Sequence, residues 1–224
     1  MNFGVIHVFT EEIFDVGNLT TYNKQEYCDK HNYKLFEFTS RNQLDLSKSV
    51  SNPKFLPNLN ISMGWSKIKL MIDLLKNNPD IDWFFWIDAD ALFMNYNIKL
   101  EELVSDKAFF IVGRDCNGIN VGTFFIKNCE KSIEFLEDIW KNGPEEGTWW
   151  GETEQGQIDI HGQKEKYFDG FWIVENKKFN SYIHDCSPGP LPFFKYEHGD
   201  FIIHLPGVPG KFKILQQLLE KVIK

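Results

Sequence analysis

The run Trp83-Phe84-Phe85-Trp86-Ile87, followed at once by Asp88-Ala89-Asp90, constrains this chain more than any other stretch. Five consecutive apolar residues predict a buried strand of an α/β sheet. Two carboxylates one residue apart at the end of such a strand need a cationic partner, because an unpaired buried charge costs several kcal/mol. The carboxyl ends of strands are also where ligands bind in open α/β sheets. If the extended backbone persists, Asp88 and Asp90 point the same way and can reach one cation together. Turn chemistry alone accounts for either aspartate, so the pattern takes its meaning from the strand before it. It reads as a site for a cation and a diphosphate.

The 224 residues suffice for one large domain that needs no disulfide or structural metal to hold its core. A hydrophobic fraction of 42% and an aromatic fraction of 16% exclude a disordered chain, and aromatics beyond core needs often line sugar sites. Twenty-four basic against 32 acidic residues give a net charge of −8. That balance argues against nucleic acid and against an anionic membrane surface, so a polyanionic ligand must meet a local basic spot. Cys28, Cys116, Cys129 and Cys186 lie far apart with no Cys-x-x-Cys pair and read as reduced thiols. The chain opens directly on the strand-like run from Phe3 to Phe9, and no span approaches the roughly 20 apolar residues of a membrane helix. The expectation is a soluble, cytoplasmic protein with no membrane span.

After the first strand, Asn18 to His31 contains no helix breaker, and Lys34 to Phe38 alternates apolar with charged residues, predicting strand, helix, strand. Residues 40–60 have no clear period and read as a long surface loop. Ile61, Trp65, Ile68, Ile72 and Leu75 predict an amphipathic helix, with Ser62 as N-cap and Pro79 beyond its end. Phe109 to Val112 and Val121 to Ile126 predict two strands around the turn Arg114 to Asn120; Ile133, Leu136 and Trp140 mark another helix. Residues 143–170 show only a short helix near Glu152 to Ile160. Phe201-Ile202-Ile203 predicts a short buried strand ending in His204. A Pro-Gly-rich loop follows, and then a helix from about Lys211 whose Phe212, Leu215, Leu218, Leu219 and Val222 cover the domain.

Asp88, Asp90 and the distant His204 offer hard oxygens plus one imidazole, which suits Mn²⁺ or Mg²⁺ better than a closed zinc site. A lone histidine after an apolar strand is also commonly a satisfied, half-buried residue. Gly207, Gly210 and Lys211 can bring backbone N–H groups and an ammonium to an anion such as a departing diphosphate, or can simply start a helix. The Asn117 to Gly122 segment offers two carboxamides to sugar hydroxyls, and plain turn chemistry explains it equally well. Glu152, Glu154 and Gln155 beside Trp149 and Trp150 combine polar rims with aromatic faces, as carbohydrate contacts do; a solvated acidic loop has the same composition.

Gly64-Trp65-Ser66-Lys67-Ile68, followed by Asn78 through Asn95, resembles the core of glycosyltransferase family 34, the galactomannan galactosyltransferase and xyloglucan xylosyltransferase group. Asn117-Gly118-Ile119-Asn120-Val121-Gly122 resembles that family's Asn-Gly-Leu-Asn-Thr-Gly block, and Ile203-His204-Leu205-Pro206-Gly207 its His-Phe-x-Gly. Asn23 to Tyr33 is similar to its N-terminal helix, so the likeness covers most of the chain in the family's order. The resemblance implies a GT-A fold: a Rossmann-like α/β domain with a central, mostly parallel mixed sheet flanked by helices. It implies a single domain with a nucleotide-sugar half over about residues 1–115 and, over about 116–224, an acceptor half with the C-terminal metal-ligand and helix segment. The implied activity is metal-dependent, retaining transfer of a hexose, pentose or deoxyhexose from a UDP-sugar to an oligosaccharide or glycoprotein glycan. Asp88, Asp90 and His204 match the ligands of Mn²⁺ or Mg²⁺, and Lys67 matches a donor-side lysine. Val8, Phe9, Thr10, Ala89, Asn120, Gly207 and Lys211 complete the implied donor set. Gln155 matches the Gln of an Asp-Gln pair near the reacting carbon; Glu154 stands where the family has Asp, as hydrogen-bonding partner or nucleophile. The family's basic residue falls at Pro209 here, so the part of Lys211 in diphosphate departure is inferred from its charge two residues later.

Two rivals share the acids and the histidine. A metal-dependent nucleotide-sugar phosphohydrolase would cleave donors without an acceptor. A non-catalytic module holding a structural cation such as Ca²⁺ would bind glycan and ignore UDP.

Overall fold

Alternation of side chains across β3, Trp83–Ile87, accounts for its unbroken apolar run. In this computed structural model, which describes residues 1–48, 61–184 and 194–224 and gives backbone alone at 61, 62 and 149, the strand is buried on both faces. Trp83, Phe85 and Ile87 belong to one core with Val5, Tyr27 and Phe93, while Phe84 and Trp86 belong to another with Trp65, Met71 and Phe124. β1 (Phe3–Val8) flanks β3 in parallel and β6 (Gly118–Lys127) flanks it antiparallel. β2 (Lys34–Phe38), β5 (Phe110–Asp115) and β7 (Phe171–Glu175) complete a mixed sheet in the order β2-β1-β3-β6-β5-β7. Helix α1 (Phe14–His31) covers the Tyr27 side; α2 (Ile61–Asn77) and α3 (Glu130–Asn142) cover the Trp65 side.

A second sheet brings the two ends of the site together. Its strands are β4 (Ala91–Phe93), β9 (Ile202–His204) and β8 (Ser181–Tyr182), with β9 in the middle. The antiparallel register of β4 and β9 pairs Ala91 with His204, setting the histidine beside the residue that follows Asp90. Helix α7 (Lys211–Leu219) buries Leu215 and Leu218 against Leu92, Met94 and Ile203, the covering role expected of it.

Several elements differ from the sequence expectation. β3 stops at Ile87, and Asp88 to Ala91 form a turn closed by the Ala91 N–H on the Asp88 carbonyl at 3.1 Å. The acids therefore meet around a turn and not along one face of a strand. β5 and β6 run further toward each other than expected, pairing Asp115 with Gly118, because Cys116 and Asn117 suffice to reverse the chain and Gly118 takes the positive φ of 117° that follows them. Residues 143–170 contain three short helices, α4 (Trp149–Glu152), α5 (Glu154–Gly162) and α6 (Glu165–Phe168). β7 and β8 were not anticipated: β7 is a half-exposed edge strand and β8 only two residues long. Residues 49–60 of the expected loop, Cys186, and the side chains of Ser62 and Trp149 lie outside the described residues. Among the described residues, Cys28, Cys116 and Cys129 form no disulfide, and no helix is long and apolar enough to cross a membrane.

Helix α1 lacks an apolar stripe because its buried face is polar. Thr20, Asn23 and Lys24, one helical turn apart, are each fully buried. Thr20 Oγ1 bonds the Ala89 carbonyl at 2.7 Å, Lys24 Nζ the Ala91 carbonyl at 3.0 Å, and Asn23 both backbone groups of Phe93 at 2.8 and 2.9 Å. The irregular backbone after Asp88 thus finds its partners on α1. Burial pushes the Lys24 ammonium down to about 7, against the opposing pull of Asp90, Asp88 and Glu37. Burial and the neighbouring Lys24 keep His7 neutral in the same pocket.

An unfolded lysine holds its proton to above pH 10, so between about 7 and 10 the unfolded chain binds a proton that folded Lys24 has released. Stability attributable to this group therefore rises with pH across that window and is lowest below it. Urea unfolding in EDTA should show an extra positive slope of wild type over Lys24→Met from pH 7 to 10. Parallel curves for the two proteins would contradict this.

Candidate active site

Asp88 leaves β3 with its N–H on the Gly122 carbonyl at 2.8 Å, which anchors the start of the turn to β6. Its Oδ1 accepts from Trp86 Nε1 at 2.6 Å and from Lys67 Nζ at 3.3 Å. Buried Lys67 also reaches the Val121 carbonyl at 2.8 Å and lies 4.8 Å over the Trp86 ring. Asp90 Oδ2 accepts from Lys211 Nζ at 2.5 Å. Each acid thus gives one oxygen to a donor of the protein. The other oxygens face one imidazole nitrogen: His204 Nε2 lies 3.2 Å from Asp90 Oδ1 and 3.9 Å from Asp88 Oδ2.

The ligand atoms of Asp88, Asp90 and His204 all lie within 4.8 Å of one another. Two carboxylate oxygens and one imidazole nitrogen fit a hard divalent cation. A glycine makes room for this arrangement, since a Cβ on Gly122 would stand 2.1 Å from His204 Cε1. Burial opposes a charge on Asp90, yet His204 and Lys211 together hold its carboxyl well below the usual carboxylate range.

Two adjoining hollows open on these acids. One, of about 260 Å³, takes in Val8, Lys67, Ala89, Glu154 and Lys211; the other, of about 290 Å³, adds Asn120, Gln155, His204 and Gly207. Expected donor residues Phe9 and Thr10 line neither. Phe9 turns inward onto Gly17, where a Cβ would stand 2.0 Å from its ring, and the Thr10 hydroxyl bonds Glu12. Gln155 Oε1 accepts the Val121 N–H at 3.2 Å, which fixes its orientation. The Glu154 carboxylate occupies space that only a glycine at 64 leaves open, 2.2 Å from where a Cβ would be. Burial raises its pKa, with Lys67 acting in the opposite direction.

Beyond His204 lies a third hollow of about 360 Å³, walled by Asp115, Asn117, Asn120, Tyr182 and His184. Asp115 accepts from Tyr182 Oη at 2.7 Å, from Asn120 Nδ2 at 3.4 Å and from the Asn117 N–H at 2.7 Å. The carboxamides expected as a sugar wall therefore stand in a cleft and not in a bare turn. Glu152, grouped in sequence with the sugar contacts, is instead fully buried at the end of α4 and accepts the N–H of Gly147, just before that helix, at 3.0 Å. Sequence reasoning missed Asn180, buried behind His204, and the Trp86 indole that bonds Asp88. Asn180 sits in no motif; the position of Trp86 two residues before Asp88 on a strand was the available signal for the indole.

The galactosyl transferase GMA12/MNN10 family matches the chain over residues 15–108 and 104–209, in agreement with the family 34 resemblance. An alpha-1,2-galactosyltransferase of Schizosaccharomyces pombe is 26% identical over 96% of this chain and 62% of its own length. The probable alpha-1,6-mannosyltransferase MNN10 of Saccharomyces cerevisiae is 22% identical over 98% of this chain and 64% of its own. The chain therefore spans a little under two thirds of these relatives. Among solved structures, a glycosyltransferase involved in glycosylation of the major capsid of PBCV-1 superposes with a TM-score of 0.69 at 13% identity, covering 97% of this chain and all of that one. The galactosyltransferase LgtC, in complex with donor and acceptor sugar analogues, gives 0.58 at 12% identity over 99% and 96%. These likenesses identify the fold as GT-A.

Proposed function

The chain belongs to the galactosyl transferase GMA12/MNN10 family, and from that premise we propose that it transfers one sugar residue from a UDP-sugar to a glycan hydroxyl, with retention. The observation that carries the reading is the convergence of Asp88, Asp90 and His204, with His204 Nε2 facing Asp90 Oδ1 and Asp88 Oδ2, at the mouth of two hollows. Those three residues would hold Mn²⁺ or Mg²⁺, which when bound supplies charge neutralisation for a diphosphate leaving group. Lys211, at the start of α7 and already seated on Asp90, adds an ammonium for the departing diphosphate. Lys67 holds Asp88 in place from the opposite side.

The acceptor enters from the third hollow, where Asp115, Asn117 and Asn120 hydrogen-bond its hydroxyls. The bond from the anomeric carbon to the diphosphate oxygen breaks and a bond to the acceptor oxygen forms on the same face. The acceptor proton passes to the departing diphosphate oxygen, so no separate strong base is needed. In this assignment about residues 1–115 bind the nucleotide, and about 116–224 receive the acceptor and supply the C-terminal metal ligand His204 and the helix that carries Lys211.

Glu154 serves as a hydrogen-bonding partner at the sugar, with Gln155 beside it. Glu154→Gln should then lower turnover by no more than about 10²-fold, the scale of a single polar contact in the transition state. Complete loss of turnover, with a glycosyl adduct trapped on Glu154 of the wild-type protein, would assign it as a nucleophile instead.

The reading is tested by UDP release from a panel of UDP-sugars, with Mn²⁺ or EDTA and with or without simple sugar acceptors. Metal-dependent release from one donor that acceptor enhances supports transfer. Equal release without acceptor would point to the hydrolase, and glycan binding without UDP binding to the sugar-binding module.

A further inference from the structure

An imidazole that offers Nε2 to a cation carries its proton on Nδ1, and the partner of Nδ1 decides whether that tautomer is held. His204 Nδ1 lies 2.9 Å from Oδ1 of Asn180, a fully buried residue just before β8. A carboxamide can present either its oxygen or its NH₂ group, so the direction of this bond depends on what else the amide meets.

The neighbouring bonds settle it. The Gly122 N–H, which can only donate, lies 3.0 Å from Asn120 Oδ1 and fixes the Asn120 oxygen. That oxygen also accepts from Asn180 Nδ2 at 3.0 Å. The Asn176 amide nitrogen donates to the Asn180 backbone carbonyl at 2.5 Å, which fixes its oxygen as the acceptor from Asn180 Nδ2 at 3.2 Å. Both hydrogens of Asn180 are therefore committed, and its oxygen turns to His204. An acceptor at that point requires the proton on Nδ1. Gly113 belongs to the same construction, because a Cβ there would stand 2.4 Å from Asn176 Oδ1.

We propose that Asn180 is a positioning residue that keeps a proton on Nδ1 of His204 and so presents Nε2, which faces Asp90 Oδ1 at 3.2 Å, to a divalent cation beside Asp88 and Asp90. The cation part rests on the metal reading given above; the proton on Nδ1 does not. Asn120 is the common member of this chain and of the acceptor-side hollow, so one carboxamide network fixes both the histidine and the wall facing the glycan.

The test uses ¹⁵N-labelled full-length protein in EDTA, where the ring-nitrogen signals of His204 report directly which nitrogen carries a proton. Wild type should show a protonated Nδ1, and Asn180→Asp, which keeps an acceptor, should preserve that proton. Asn180→Leu should lose it, and its Mn²⁺ affinity by calorimetry should fall about 10- to 100-fold, the usual cost of losing such a partner. A wild-type His204 with no proton on Nδ1 would overturn the proposal even if the leucine variant fails to fold, as would unchanged Mn²⁺ affinity in a folded Asn180→Leu. If wild type shows the proton on Nδ1 yet binds no Mn²⁺, the metal reading fails and the assignment of that proton stands.

Discussion

Asp90→Ala should lower UDP-sugar turnover by about 10²- to 10³-fold or more, the scale expected when several kcal/mol of transition-state charge stabilisation are lost. The substitution removes one of three converging ligand atoms and also the carboxylate that seats Lys211. The fold should survive. Lys211 is partly exposed and can turn to water, while the backbone of the turn stays pinned to α1 through Thr20 and Lys24. In EDTA the thermal midpoint should shift by no more than about 4 °C, about 1 kcal/mol for a chain of this size. Mn²⁺ should stabilise wild type and leave the variant unchanged. Turnover within tenfold of wild type, or Mn²⁺ stabilisation retained in the variant, would contradict the assignment of Asp90.

Gly122→Ala should have an effect of similar size through a single methyl group. Its Cβ would stand 2.1 Å from His204 Cε1, 2.8 Å from Nδ1 and 3.0 Å from Asn120 Oδ1, so something must move. β6 has little room to retreat, because β3 pairs it from Thr123 onward, β5 pairs it at Asn120 and Phe124 on either side of Gly122, and the Asp88 N–H bonds the Gly122 carbonyl. The imidazole is the group that yields, leaving both the carboxylates and Asn180. Overpacking of this kind costs about 1–3 kcal/mol in stability. Loss of one ligand should weaken Mn²⁺ binding and turnover together by about 10²-fold. Urea unfolding and a Mn²⁺ titration check both halves, and a stable variant with wild-type Mn²⁺ affinity would contradict the steric argument.

The sequence made the centre of the site legible and left its supports hidden, for physical reasons that differ by residue. Asp88 and Asp90 could be read because an apolar strand ends on them, and His204 because a second apolar strand ends on it. Their meeting depends on the register of β4 with β9, two three-residue strands too short to carry a period. The convergence of the two acids was expected along a strand and is achieved by a turn instead, since Ala91 closes back on Asp88. α1 was recognisable only from its lack of breakers, because its inward face carries Thr20, Asn23 and Lys24 to serve irregular backbone that a sequence does not display. Gly122 and Gly64 read as turn or motif glycines; that each makes room for one side chain, His204 and Glu154, appears only when distant segments come together. Asn180 had no local signal at all. Its role comes from three other residues, two of them asparagines, that fix which way its amide points.

The central claim is sugar transfer at the cation site of Asp88, Asp90 and His204, and the mass of an acceptor glycan tests it most directly. Incubated with the wild-type protein, the donor selected from the UDP-sugar panel and Mn²⁺, the acceptor should gain one sugar residue. The gain should disappear with EDTA and with Asp90→Ala. An acceptor of unchanged mass while UDP-sugar is consumed, or a gain that persists in EDTA, would contradict the account.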